Sequence, residues 1–148
     1  MKQPPNPSGR GMLDGETAIT DLERTEPNRE LVHAFASEVL VDRQFDRLKA
    51  SAEDGLIQHD PEIADGVSAL RTKLEAADDG VPLIEYQRVH KVLAEGNFVL
   101  CMSEGRKAGV HAGIYDLFRV ADGKIVEQWN TVSHIAPRSE WKNENGKF

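Results

Sequence analysis

The stretch Ile114-Tyr115-Asp116-Leu117-Phe118-Arg119-Val120-Ala121-Asp122-Gly123-Lys124-Ile125-Val126-Glu127-Gln128-Trp129-Asn130 decides the fold. Two runs with a period of two flank Asp122-Gly123, which is the pattern of antiparallel strands joined by a tight turn. Reading Val120 to Lys124 as a type I turn with Gly123 in the left-handed bulge position sets Val120 opposite Lys124. Phe118 then faces Val126, Asp116 faces Gln128 and Ile114 faces Asn130, and these last six residues share one face of the sheet. A plain two-residue turn would shift the pairing by one and set Asp116 against Trp129.

Outward from this hairpin, residues 83 to 135 keep the same period. Four long strands are expected, separated by turns at Glu95-Gly96-Asn97, the Gly105 to Gly109 stretch and Asp122-Gly123. The chain before them is helical in period. A first helix begins near Thr25, a plausible N-cap, with Pro27 in the first turn and Leu31, Val32, Phe35, Val39 and Leu40 recurring at helical spacing. A short second helix is expected over Phe45 to Ser51. A short strand, Leu56 to His59, is stopped by Asp60-Pro61. A third helix is expected from about Val67 to Ala77, ended by Asp78-Asp79-Gly80. Helices followed by strands indicate an α+β domain. Long, strongly twisted strands curl, so a cone-shaped antiparallel (mixed) sheet wrapped around the N-terminal helices is expected, with a pocket on its concave side.

Residues 1–24, rich in Pro and Gly at the start, read as a flexible arm with at most a short edge element over Thr17 to Leu22. Residues 25–136 read as the domain. Residues 137–148 form a polar tail whose aromatics, Trp141 and Phe148, suggest docking on the domain or on a partner subunit. A chain of 148 residues with 39% hydrophobic and 29% charged residues can build a core without staples. Its lone cysteine, Cys101, lies in an apolar run and reads as a buried, inert thiol. The net charge of −7 disfavours nucleic acid and anionic membrane surfaces as partners. No transmembrane span or signal peptide is expected, so a cytoplasmic location is the default.

Among the chemistry-bearing residues, Asp116 stands first. A carboxylate among Ile114, Phe118 and Val126 is desolvated, which raises its pKa and suits it to general acid or base work. The rival reading is an Asp paired with a buried Arg or facing solvent. His59 alternates with Ile57 at the end of a strand, where it could transfer protons or simply fix the Asp60-Pro61 turn. Arg119 belongs to the face opposite Asp116 and reads as a surface or interface charge. Tyr86, Arg88 and His90 share one face of another strand and are secondary candidates. His111 and His134 lie near strand ends. No spacing resembles a zinc site, a nucleotide-phosphate loop or a Gly-x-Ser-x-Gly elbow, so neither metal nor cofactor is expected.

Three segments together resemble the SnoaL-like branch of the nuclear transport factor 2-like superfamily. They are Ile57-Gln58-His59-Asp60-Pro61 with Asp65-Gly66, then Tyr115 to Val120 with Asp122 to Glu127, and Trp129. The resemblance spans roughly Asn28 to Ile135. It implies a cone-shaped α+β barrel, usually a homodimer formed across the sheet, with a deep pocket for a small apolar or carbonyl-containing ligand. Relatives include cofactor-free polyketide cyclases that promote an aldol step, and others isomerise, dehydrate or only bind. This chain departs from the pattern beside the tryptophan, with Gln128 and Asn130 where members often carry His and Asp. Amides orient a carbonyl but cannot shuttle protons. Two readings therefore stand. One is a cofactor-independent lyase, isomerase or cyclase with Asp116 and His59 as proton-transfer groups, Gln128 and Asn130 on the substrate oxygen, and Phe118, Ile114 and Trp129 shaping the wall. The other is a non-catalytic pocket protein or dimeric interaction module.

Overall fold

The expected alternation of residues 83 to 135 forms four long strands: β4 (Ile84–Glu95), β5 (Phe98–Lys107), β6 (Val110–Ala121) and β7 (Lys124–His134). The computed structural model describes residues 18–148. With β1 (Ala52–Gln58) these strands make a curved mixed sheet in the order β1-β7-β6-β5-β4, in which β1 runs parallel to β7 and the rest are antiparallel. The sheet is an open cone: β1 and β4 are its two edges.

One face of the sheet is covered by helices. Val32, Phe35, Ala36, Val39 and Leu40 recur at i, i+3, i+4, i+7 and i+8, and all five are buried. They lie on α1 (Thr25–Ala34) and on the π-helical stretch Phe35–Val41 that continues it. Phe35 meets Phe118 of β6 edge to face, with ring centroids 5.6 Å apart. A 3-10 turn, Phe45–Arg47, leads into α2 (Leu48–Ser51). After β1, Gly66 (φ 102) opens α3 (Val67–Glu75), which buries Val67, Leu70 and Leu74. Two short strands, β2 (Ala77–Asp78) and β3 (Val81–Pro82), pair across Asp79-Gly80 before β4 begins.

Thr25 is the first residue of α1 rather than its N-cap. Its hydroxyl donates to Leu22 O (2.7 Å) and accepts the Gly96 N–H (2.8 Å), which ties the helix start to the β4–β5 turn. Asn28 Nδ2 donates to Gly96 O (2.9 Å) from a buried position. Most of the arm expected over residues 1–24 lies outside the described residues. Its described part is held to the same turn, with Thr20 N donating to Asn97 Oδ1 and Asn97 N donating to Thr20 O.

The hairpin register differs from both sequence readings. Asp122 and Gly123 each have positive φ (50 and 74), so the turn is a tight two-residue type and Ala121 pairs with Lys124. The extra residue comes one step later, at Val126: Val120 pairs with Ile125, but Arg119 pairs with Glu127. Asp116 therefore faces Asn130, and Phe118 faces Gln128. The shift from the expected register is two residues, an even number, so Ile114, Asp116, Phe118, Gln128 and Asn130 remain on one face, the helix-covered one. Val126, expected with them, is instead the bulge residue, and Ile125 takes the core position.

Strand β4 overturns a second expectation. Tyr86 pairs with Gly105 and Arg88 with Glu104, leaving Gln87 as an extra residue, and His90 is extra in the same way between Val89 and Lys91. Each bulge reverses the phase of the strand. Tyr86 turns to the covered face, whereas Arg88 and His90 turn to the open face, so the three do not share a side. Gly105 permits the close approach at this point, because a Cβ there would sit 2.0 Å from Glu85 O.

The tail returns to the open face. Phe148 stacks on His90 with centroids 4.3 Å apart, and Trp141 Nε1 donates to Ala136 O (2.8 Å).

Candidate functional site

The polar centre of the covered face is built by three strands. Asp116 of β6 is fully buried. Its Oδ2 accepts the Tyr86 hydroxyl (2.8 Å), and its Oδ1 accepts Gln128 Nε2 (3.0 Å) and Asn130 Nδ2 (2.7 Å). Gln128 is itself oriented, since its Oε1 accepts Gln58 Nε2 (2.9 Å), and Gln58 Oε1 accepts the backbone N–H groups of His59 and Asp60. This chain fixes the amides of Gln58 and Gln128, whose oxygens accept and whose nitrogens donate without conflict.

Burial drives the Asp116 carboxyl above its ordinary range, and the charge of Asp60 pushes the same way. The hydrogen bonds from Asn130, Tyr86 and Gln128 stabilise the ion and offset part of that rise. Burial, then the charge of Asp116, holds the Tyr86 phenol well above its usual range, so it is neutral. Cys101, also buried behind this cluster, has its thiol pushed up to about 12 by burial and by Asp116, which makes it inert at neutral pH.

A cavity of about 360 Å³ opens between the sheet and the Asp60–Ile63 loop with α3. Tyr86, Gln128 and Asn130 line it at one part, and Ile63, Leu70, Leu74, Leu83, Ile84 and Val132 supply an aliphatic wall. Asp60, Glu62, Lys73 and Lys107 add charge to the lining. Asp116 does not line the cavity. It sits one layer behind and is hydrogen-bonded to Tyr86, Gln128 and Asn130, which do.

The structure brings together Asp116, Tyr86, Gln128 and Asn130, but not His59. His59 follows Ile57 and Gln58 of β1, which pair with Glu127 and Gln128. The residue opposite Gln128 reaches the cavity side and its neighbour turns away. On the open face, the His59 imidazole stacks on Trp129 (4.5 Å, 4°) and donates from Nε2 to Glu127 Oε1 (2.8 Å). Glu127, fully buried, also accepts Arg119 Nε at 2.7 Å. Arg119 is thus an ion-pair partner inside the sheet's open face rather than a free surface charge. Trp129 belongs to this face and does not line the cavity. Phe118 and Ile114 are fully buried core residues beneath the site. His90 and His111 both donate to Glu104 (2.9 and 2.6 Å), away from the cavity.

Gln58, Lys73 and Lys107 escaped the sequence reading. Gln58 stands within the quoted Ile57 to Pro61 stretch, but nothing local sets the phase of a parallel strand against its neighbour. Lys107 follows Val99, Cys101, Ser103 and Gly105 at period two and so belongs to the covered face. The interleaved Leu100 and Met102 made the two faces of β5 look alike.

No family model matches the chain, and no curated protein matches it. Solved structures do. A ketosteroid isomerase-like protein from Kribbella flavida superposes with a TM-score of 0.64 at 18% identity, over 84% of this chain and 93% of the other. A protein described as a SnoaL-like polyketide cyclase from Jannaschia sp. CCS1 gives 0.57 at 20% identity, over 80% and 91%. The fold is nuclear transport factor 2-like. An epoxide hydrolase of M. tuberculosis shares this nuclear transport factor 2-like fold with a TM-score of 0.55 at 20% identity, over 74% of this chain and 85% of that one. At such identities the likeness concerns the fold, which hosts several chemistries. Among the described residues, no helix is long and apolar enough to cross a membrane, and no group of three or more His, Cys, Asp or Glu side chains could hold a metal ion.

Proposed function

We propose that the protein is a cofactor-independent acid–base catalyst, of the isomerase, lyase or aldol-cyclase kind, acting on a small carbonyl compound. One observation carries this reading: a fully buried Asp116, its carboxyl raised by burial, is hydrogen-bonded to three groups that line the cavity, Tyr86, Gln128 and Asn130.

Since Asp116 does not line the cavity, Tyr86 is its route to a ligand. With Asp116 ionised, the Tyr86 hydroxyl donates to Oδ2 and its oxygen lone pairs are left to accept. A ligand C–H proton passes to Tyr86 Oη as the phenol proton passes to Asp116 Oδ2. The electron pair of the broken C–H bond moves onto the ligand's carbonyl oxygen as an enolate. Gln128 and Asn130 each use one amide N–H on Asp116 and keep a second for that oxygen, so the developing charge meets preorganised donors. Reversal delivers the proton to the same or another carbon. His59 has a positioning role: held by Glu127 and Trp129, it anchors the Asp60–Ile63 loop that forms the cavity's rim.

Incubating the protein with small ketones in D2O and following α-deuterium uptake by mass spectrometry tests the reading whatever the final product is. Exchange is expected with the parent protein, and Tyr86→Phe should slow it by about 10²-fold or more while ketone binding persists. Binding without exchange in the parent favours the second reading, a non-catalytic pocket protein. That reading draws on the same network, because the hydrogen bonds to Asp116 from neutral groups also suit a purely structural anion.

We also propose a homodimer through the open sheet face. Leu93 is 58% exposed there, and Phe98, Leu100, Met102, Leu117 and Trp129 share its side half-buried. Light scattering on the parent should give twice the chain mass, and Leu93→Lys should shift it toward the monomer. A parent that runs as a monomer at high concentration ends that proposal.

A further inference from the structure

The cavity has a second polar pole that the acid–base reading leaves unused. Lys107 ends β5 on the covered face, and Lys73 of α3 also lines the cavity. Lys73 is engaged, with Nζ 3.2 Å from Glu62 Oε2. Glu62 is held below the usual carboxylate range by that hydrogen bond and by the charges of Lys73 and Lys107, so it is ionised at neutral pH and balances one lysine. Asp60, the other acid of the rim, has Oδ1 turned back onto its own loop, where it accepts the Glu62 N–H (2.9 Å). Lys107 has no ion pair or side-chain hydrogen bond among the described residues. An aliphatic cavity therefore carries a neutral hydrogen-bonding group of Tyr86, Gln128 and Asn130, and an ammonium on its lining without a fixed partner.

We propose that the ligand of this cavity is an oxo acid with an aliphatic body: its carbonyl oxygen is held by Gln128 and Asn130 beside Tyr86, and its carboxylate pairs with Lys107. This rests on the acid–base reading for the placement of the carbonyl, and it adds the anionic group that the reading does not specify. An ammonium makes a charge-assisted bond to a carboxylate but gains little from a neutral amide. Because Lys107 is exposed, the gain is modest and salt-dependent. An aliphatic wall of Ile63, Leu70, Leu74, Leu83, Ile84 and Val132 has no aromatic ring for stacking, so it suits a saturated chain.

The test uses three probes of one chain length: 7-oxooctanoate, 7-oxooctanamide and octan-2-one, titrated calorimetrically at low salt into the parent, Lys107→Met and Lys107→Glu. The acid is expected to bind the parent roughly twofold to fivefold more tightly than the amide, the span a single exposed charge pair allows. Lys107→Met should erase that preference, and Lys107→Glu should reverse it, with the amide's affinity moving less than about twofold in either variant. Inorganic phosphate, added as a competitor, should displace the acid only weakly, because it lacks the aliphatic body. If the ketone and the amide bind as well as the acid, the inference about the carboxylate falls while the acid–base reading stands. If none of the three binds, both fall. An acid preference that survives in Lys107→Glu also overturns the assignment.

Discussion

Asp116→Asn is expected to slow α-proton exchange in a bound ketone by about 10²- to 10⁴-fold, the range one positioned acid–base group supplies. The substitution is nearly isosteric, and its hydrogen bonds can be kept. The new amide oxygen accepts from Gln128 and Asn130, and the new NH2 donates to Tyr86, whose hydroxyl is then free to turn toward the cavity. The melting temperature at neutral pH should therefore stay close to the parent's while exchange is lost. Exchange at the parental rate would remove Asp116 from the mechanism.

The same pair of proteins carries a pH prediction with a definite sign. The folded pKa of Asp116 lies above its unfolded value. The folded state therefore holds this proton more tightly than the unfolded chain does. Its contribution favours folding at low pH and is lost as pH rises from the ordinary carboxylate range through the raised folded pKa. The stability difference between parent and Asp116→Asn should shift toward the parent as pH falls through that window, a comparison in which the other carboxylates cancel. In the rate, the acid limb of the parent's exchange profile should lie above the ordinary carboxylate range. A difference in stability that does not change with pH would show that Asp116 is not perturbed.

Arg119→Met is expected to lower stability by about 3 kcal/mol, because it strips a cation from the fully buried Glu127. In a chain of this size that corresponds to a fall in melting temperature of roughly 10 °C. Methionine keeps much of the side-chain packing, so the loss reports the charge. The double variant Arg119→Met with Glu127→Leu should recover most of it, since removing both members of a buried pair is far less costly than removing one. The effect should reach the cavity too. Glu127 also holds His59, which anchors the Asp60–Ile63 loop, so the single variant should bind ketones more weakly even where it remains folded. A single variant that melts within about 2 °C of the parent would mean that the Arg119–Glu127 pair contributes no net stability.

These two experiments probe opposite faces of one sheet, and the sequence distinguished those faces only in part. Alternation along β6 and β7 is a local property of extended chain, so the grouping of Ile114, Asp116, Phe118, Gln128 and Asn130 on one side could be read directly. It survived a wrong register because the tight turn at Asp122-Gly123 and the bulge at Val126 together displaced the pairing by two, which preserves phase. Tyr86 and His90 had no such protection: the bulge at Gln87 reversed the alternation between them, and His90 is itself the extra residue of a second bulge. Bulges of this kind answer to the curvature of the whole sheet. His59 failed for a third reason. The phase of β1 against β7 is set by a parallel pairing between segments about seventy residues apart, and no local pattern records it.

By itself, the sequence determined the order of the main helices and long strands, the apolar stripe from Val32 to Leu40, the shared face of Ile114, Asp116, Phe118, Gln128 and Asn130, and with it a carboxylate destined for the covered side. Each follows from spacing along a few neighbouring residues. Only the tertiary structure decided that Tyr86 reaches Asp116, that His59 pairs with Glu127 on the far face, and that Lys107 shares a cavity with Asn130. Those meetings depend on pairing register, bulges and sheet curvature, which arise when distant segments pack together.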